Sequence, residues 1–397
     1  MVWKRVRKKG EIMTKGKNSR NKSLLDAATA AMTSKAKDKK IAVEVVRACD
    51  LKELEYIETG NPAFDLVFGG FPRGRFSIIY GGPGCGKTSF ILRAIAHQQK
   101  NDIGVFLCES EQSFSKKWAA ANGVDLENLA MTQSTDVGDV LDAVTRIAAT
   151  GKADIIYIDS LAALSPAEMR KKGVGADDMA IFARRLSRFF QIAPETTART
   201  NTAIVFVTQK RDSLDLFSGG LEQYPGGNAL KHHLSVAINV RRSGMSKLRD
   251  KGTRFLSSGD KIGFPSMWKC VKSKIDVVEN TGVIMDFFMG RGYDNRSTIF
   301  ELAVSHGIIV KTPPAKYQFM YSNGDVYKQV GYESVIRDIQ SDDNLYAQLI
   351  SAVKARCTPG DFTTPPAEVD VEYEEKVNRE IREEYELKEK QCKEATE

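Results

Sequence analysis

Between residues 76 and 207 the chain alternates short continuous apolar runs with stretches of helical spacing. Residues 76–80 (FSIIY), 104–109 (GVFLCE), 153–159 (ADIIYID) and 202–207 (TAIVFV) are compact runs rich in β-branched and aromatic residues. Such runs read as strands buried on both faces. Residues 89–96, 137–149 and 179–190 carry apolar residues three and four apart, for example Val140, Leu141, Val144, Ile147 and Ala148, as amphipathic helices do. Strand and helix in alternation predict an α/β fold: a mostly parallel, twisted sheet flanked by helices, with its ligand at the strand carboxyl ends. Further strands are expected at 235–240, 266–271 and 283–287. The core domain is expected to span 54–298 and a small C-terminal α/β lobe 299–357. Residues 358–366 (TPGDFTTPP) break structure and begin a linker and tail over 358–397.

The turn after the first strand is where chemistry enters. It reads Gly81-Gly82-Pro83-Gly84-Cys85-Gly86-Lys87-Thr88, then Ser89, the G-x-x-x-x-G-K-[ST] pattern in its strand–turn–helix context. Glycines let backbone N–H groups converge on a phosphate without a Cβ in the way. The helix N-terminus adds unpaired donors and partial positive charge. Lys87 is expected to reach the β- and γ-phosphates and the Thr88 hydroxyl to sit on Mg²⁺. ATP and Mg²⁺ are therefore the expected cofactors.

Acidic and amide residues end the other strands of the same rim. Asp159 closes a run of Ile-Ile-Tyr-Ile and is expected to hold Mg²⁺ through water, with helix capping as the competing role. Glu109 and Glu111 follow the second strand, and one of them is the expected base for an attacking water. Gln209 ends the fourth, where a neutral amide can hydrogen-bond a γ-phosphate and report its presence. Two loops leave this rim carrying basic residues. One holds Arg170, Lys171, Lys172 and Gly173; the other begins Lys210-Arg211 and contains Phe217. Lysine and arginine neutralise backbone phosphates and an aromatic stacks on bases, so the pair of loops favours nucleic acid over solvated surface.

Charge sharpens that reading. The net charge of +7 hides thirteen Lys/Arg against three Asp/Glu in residues 1–40, and twelve Asp/Glu against six Lys/Arg in 368–397. A basic arm and an acidic tail on one molecule suggest a polyanionic partner for which the tail competes. Residues 1–22 lack periodicity and read as disordered, with Met13 an alternative start. Residues 23–36 suit a short helix and 41–47 (IAVEVVR) a strand. In a filament-forming protein, this 1–53 arm is where a piece that docks on a neighbouring subunit would sit. The six cysteines are scattered without a CxxC pair, which argues against a structural zinc site and for a reducing compartment. No apolar run approaches the ~18 residues of a membrane span, and no apolar segment of a secretory signal follows the basic start. The cytoplasm is the expected address, and no membrane partner is expected.

The order of these motifs resembles the RecA-type strand-exchange recombinases, bacterial RecA and the phage UvsX branch, from about residue 58 to 311. Pro225-Gly226-Gly227-Asn228-Ala229-Leu230-Lys231 is similar to RecA's GGNALK segment, and Arg241-Arg242 follows at similar spacing. Residues 163–166 (ALSP) resemble the entry to its first DNA loop, and Gly292-Tyr293-Asp294 with 297–311 looks closer to the UvsX branch. The resemblance implies a RecA-type ATPase core. It further implies that Glu111 activates water, that Gln209 senses the γ-phosphate, and that Trp118 stacks on adenine. Lys272 and Lys274 match the lysine pair that an adjacent subunit inserts at the phosphates. By the same resemblance, Gly226, Gly227, Asn228 and Lys231 belong to the DNA-binding set, and the acidic tail restrains DNA access. Ser115 stands where RecA uses an Asp, and Arg296 where a second stacking aromatic is expected, with Tyr293 close by.

The function expected is a DNA-dependent ATPase that forms filaments on single-stranded DNA and promotes homologous pairing and strand exchange. Its expected partners are single- and double-stranded DNA and further copies of itself, with a single-strand-binding protein and a loader as accessory candidates. The alternatives are a recombination mediator without strand exchange and a hexameric helicase of the same fold.

Overall fold

The computed structural model describes residues 48–51, 53–166, 177–209, 227–242, 254–255 and 261–356. The chain divides into two compact units, Met1–Leu54 and Glu55–Glu397. In the first, the described part is a single 3-10 turn at Ala48–Asp50. The helix and strand expected at 23–36 and 41–47, the tail, and Arg170, Lys171, Lys172, Gly173, Lys210, Arg211, Phe217 and Gly226 lie outside the described residues.

The second unit opens with a two-stranded ribbon, β1 (Tyr56–Ile57) and β2 (Phe71–Pro72), around helix α1 (Pro62–Phe68). The stretch Gly60-Asn61-Pro62 is what starts α1. Asn61 caps it by accepting from the Phe64 amide, Pro62 occupies the first turn, and Gly69 ends it in the left-handed region at φ 75°.

A ten-stranded sheet follows. Its parallel half comprises β3 (Phe76–Gly81), β4 (Val105–Glu109), β5 (Ala130–Thr132), β6 (Ile155–Asp159), β7 (Ala203–Gln209) and β8 (Leu234–Arg242). Its antiparallel half comprises β9 (Arg254–Phe255), β10 (Lys261–Ser273), β11 (Gly282–Phe288) and β12 (Gly292–Asp294). The spatial order is β12-β11-β10-β8-β3-β7-β6-β4-β5, with β9 pairing to β10.

Every residue of β3 and β6 is buried, because helices cover both faces. Side chains alternate between two cores. Ile79, Tyr157, Val205 and Val207 face one with helix α2 (Lys87–Lys100). Ile78, Tyr80, Ile156 and Phe206 face the other, together with Val140, Leu141 and Val144 of a helix at Val137–Ala149 and Leu186 and Phe190 of one at Asp177–Thr200. A shorter helix, α3 (Lys116–Ala121), precedes both in sequence, so these two longer helices are α4 (Val137–Ala149) and α5 (Asp177–Thr200).

Helix α6 (Gly227–His233) leads into β8. Past the large sheet the chain forms helix α7 (Asn295–Ser305). It continues through the antiparallel sheet β13 (Val310–Thr312), β14 (Lys316–Met320) and β15 (Val326–Val330), then α8 (Tyr332–Ser341) and α9 (Asp343–Arg356). A core of Phe300, Phe319, Val335, Leu349 and Val353 takes in Leu66 of α1. Among the described residues no helix is long and apolar enough to cross a membrane.

Candidate nucleotide site

The phosphate loop joins β3 to α2, and close packing dictates its first and last glycines. A Cβ on Gly81 would lie 1.9 Å from the Val240 carbonyl oxygen of β8, so no side chain fits. Gly86 caps α2 at φ 93°, and a Cβ there would also strike the Tyr293 hydroxyl. Lys87 is buried, and its ammonium donates to the carbonyls of Gly81 (3.0 Å) and Gly82 (2.8 Å). The charge thus sits inside the loop. Cys85 is buried below, with its thiol donating to Gly82 O at 2.8 Å. Pro83 and Gly84 are exposed at the tip, and Ser89 lies in the first turn of the helix.

Parallel register carries four more side chains to this rim. Gly81 pairs with Gln209, and Glu109 with Asp159. Thr88 Oγ1 donates to Asp159 Oδ2 at 3.0 Å, so the two residues expected to flank a metal touch each other. Asp159 is buried, and its carboxyl is pushed up to about 6 by burial first and the Glu111 charge next; the Thr88 hydrogen bond and Lys87 oppose the rise. A cation beside it would remove the penalty on its ionised form. One hydroxyl and one carboxylate are a hard-oxygen donor set that suits Mg²⁺ completed by water and phosphate.

The two candidate bases differ in freedom. Glu109 is buried, with Oε1 accepting from the Ser113 amide (3.1 Å) and Oε2 from Gln133 Nε2 (3.2 Å). Glu111 is exposed, and its Oε1 accepts from Gln209 Nε2 at 3.3 Å. Of the two, only Glu111 touches the proposed phosphate sensor. Trp118, half-buried in α3, lines a small cavity with Thr88, Phe114 and Asp159, and Ser115 caps that helix by accepting from the Trp118 amide.

Lys272 and Lys274 sit elsewhere. Their ammonium groups donate to the carbonyls of Lys231 and His232 in the last turn of α6, where cations oppose the helix's negative end. Among the described residues, neither bonds to the phosphate loop of its own chain. Gly227, Asn228 and Lys231 lie in α6 itself.

Tyr293 corrects an expectation. It is 5% exposed and packed edge-on against Phe90, Trp268 and Phe287. It therefore offers no open face to a base. Its hydroxyl donates to Cys85 O at 3.2 Å, behind the phosphate loop. Arg296 is also structural, bonding Ile339 O at 2.6 Å and stacking on Tyr346.

Two other braces have no counterpart in the sequence reading. Ser266 Oγ donates to Cys85 O at 3.1 Å, and Arg242 donates to Gly84 O through Nη2 (2.7 Å) and Nε (3.0 Å) with its guanidinium over Phe264. The Arg241-Arg242 pair was the only signal available for them.

Comparison with known proteins agrees with this geometry. The family model described as RecA N-terminal domain matches residues 26–293. A Protein RecA of Corynebacterium aurimucosum is 32% identical over 310 residues, covering 77% of this chain and 78% of the relative. That of Chloroherpeton thalassium is 30% identical over 305 residues (76% and 81%), and that of Methylococcus capsulatus 29% over 321 (80% and 88%). These relatives are bacterial and lend no support to the UvsX branch; nor do they favour the mediator or helicase readings. A loop, rim and sheet of this order, matched over more than half of its length, make this chain a member of the RecA family.

Proposed function

We propose that the chain is a DNA-dependent ATPase that polymerises on single-stranded DNA and promotes homologous pairing and strand exchange. The observation that carries this reading is the pair of contacts at one rim: Thr88 to Asp159, and Glu111 to Gln209. The first joins the phosphate loop to the metal-side acid. The second joins an exposed acid, free to polarise water, to the strand end from which the 210–226 segment departs.

In this account the loop backbone and Lys87 hold the phosphates of ATP, with Lys87 exchanging the Gly81 and Gly82 carbonyls for phosphate oxygens. Thr88 and Asp159 would hold Mg²⁺, which would supply charge neutralisation to the phosphates. Glu111 orients and deprotonates water for in-line attack on the γ-phosphorus. Gln209 reads the γ-phosphate and passes its presence to Lys210, Arg211 and Phe217. With Arg170, Lys171, Lys172, Gly173, Gly226, Gly227, Asn228 and Lys231, these form the DNA-binding set. Trp118 is the wall for the base. Lys272 and Lys274 act on the nucleotide of a neighbouring subunit, adding transition-state charge stabilisation.

Mixing Lys87→Ala with Lys272→Ala protein tests the last point: turnover above the sum of the separate proteins is expected, and none would place the site within one subunit. The reading as a whole is tested by electron microscopy of the protein with ATP and single-stranded DNA. Helical filaments are expected; closed rings or bare DNA would defeat it.

A further inference from the structure

The helix that begins at the phosphate loop carries a second basic group towards its far end. Arg93, His97 and Lys100 of α2 stand at i, i+4 and i+7, on one helix face, and line a cavity of about 210 Å³. The amides of Asn61, Asn122 and Asn295 also line it, beside Thr59, Gly60 and the apolar Phe90, Ala96 and Tyr293, and among the described residues no carboxylate does.

Arg93 is half-buried. Its Nε donates to Asn122 Oδ1 and its Nη1 to the Tyr293 carbonyl, both at 3.2 Å. Among the described residues no acid pairs with it, and three of its five N–H groups remain to be used. A half-buried cation without a counter-charge is costly to keep.

His97 packs against Gly60, where a Cβ would fall 2.3 Å from its ring. Its Nε2 faces the Asn101 amide nitrogen at 3.3 Å. An amide N–H can only donate, so the hydrogen-bond network assigns the His97 proton to Nδ1. Finally, Asn295 Oδ1 is buried and has no hydrogen-bond partner. It is an unpaired acceptor on a residue that lines the cavity.

Three cationic or donor side chains ask for an oxyanion, and the one orphan acceptor asks for a hydroxyl on it. Inorganic hydrogenphosphate has both, because it keeps one proton near neutral pH. Sulfate has no such proton, and neither does a DNA phosphodiester. We propose that this cavity is a binding site for inorganic phosphate, separate from the phosphate loop: Arg93, His97 and Lys100 take its charged oxygens and Asn295 accepts its O–H. The site has a mechanical route to the loop. Arg93 holds the Tyr293 carbonyl, and Tyr293 holds Cys85 O. The inference stands apart from the ATPase reading.

The test is thermal melting of full-length Lys87→Ala protein, in which the phosphate loop is disabled, in phosphate and in sulfate at matched ionic strength. A ligand that binds only the folded state raises the melting temperature along a saturating curve. Phosphate is expected to do so, with sulfate needing at least about tenfold higher concentration, as befits an acceptor left unpaired. Arg93→Gln in the same background is expected to shift the phosphate midpoint more than about tenfold. The exposed Lys100→Gln should shift it roughly two- to fivefold, and it serves if Arg93→Gln does not fold. Equal responses to phosphate and sulfate would overturn the proposal. So would an effect present in wild type, absent from Lys87→Ala and intact in Lys100→Gln, since the anion would then be at the phosphate loop alone.

Discussion

The two halves of the large sheet divide the labour at the nucleotide site. In the parallel half, strand ends deliver side chains to the rim: Glu109 from β4, Asp159 from β6 and Gln209 from β7, with Glu111 just beyond. The antiparallel half and the end of β8 deliver none of these groups. Instead Arg242, Ser266 and Tyr293 grip the carbonyls of Gly84 and Cys85 from behind. Parallel strands point their carboxyl ends one way, so they can gather reacting groups. Antiparallel strands next to them can only wall the loop in. On the proposed reading, the parallel half holds the chemistry for its own chain's loop and the other half holds that loop in shape, Lys272 being offered to a neighbour's site.

Substitutions in the two halves should differ in size and in kind. The largest effect is expected for Lys87→Ala, with ATP turnover falling at least about 10²-fold through lost transition-state charge stabilisation; near wild-type steady-state turnover would break the assignment of the loop. Glu111→Gln is expected to lower kcat about 10²-fold while equilibrium nucleotide binding persists. Glu109→Gln should mainly lower the melting temperature, because its oxygens hold Ser113 and Gln133. The reverse pattern would exchange the two glutamates.

On the bracing side, Tyr293→Phe removes one neutral hydrogen bond. It should raise KM roughly fivefold with a smaller change in kcat. A loss in kcat as large as that of Glu111→Gln would erase the distinction between the halves.

The smallest effect concerns pH. Burial pushes the Asp65 carboxyl up to about 7, and Asp159 stands at about 6, against an ordinary 3.8. Both groups hold their protons more tightly when folded, so the stability they lend is fully present below the ordinary value. It is lost as pH rises through about 6 and about 7. Melting temperature without ligand should therefore fall between about pH 5 and pH 8, and Asp65→Asn should flatten the upper part of that fall. A parallel curve for the variant would remove Asp65 from the account.

Most of the parallel half was legible in the sequence because β4, β6 and β7 are apolar runs that each end in a rim group and β3 runs into the phosphate loop; the three-residue β5, with no such run, was not. Asp159 could be placed at the rim from its run alone. The bracing half was not, because its contacts depend on register. Strand β10 runs Lys261–Ser273, well beyond the 266–271 that its apolar pattern suggests. Pairing with both β8 and β11 carries it across a bulge near Cys270. The enclosure of Tyr293 was not legible either, because nothing local reveals the Phe90, Trp268 and Phe287 rings around it. Helix α5 likewise outruns its predicted 179–190 and continues through Pro194 to Thr200, held by buried Ala193 and Thr197. The Arg93–His97–Lys100 face has visible spacing, but the amides opposite come from Asn61, Asn122 and Asn295, and only the fold collects them.

The central claim is that this rim hydrolyses ATP in response to DNA. Steady-state ATP turnover of the full chain at low salt, with and without single-stranded DNA, tests it most directly. A severalfold or greater stimulation that disappears in Glu111→Gln is the expected result. Turnover indifferent to DNA, or stimulation that survives loss of Glu111, would contradict it.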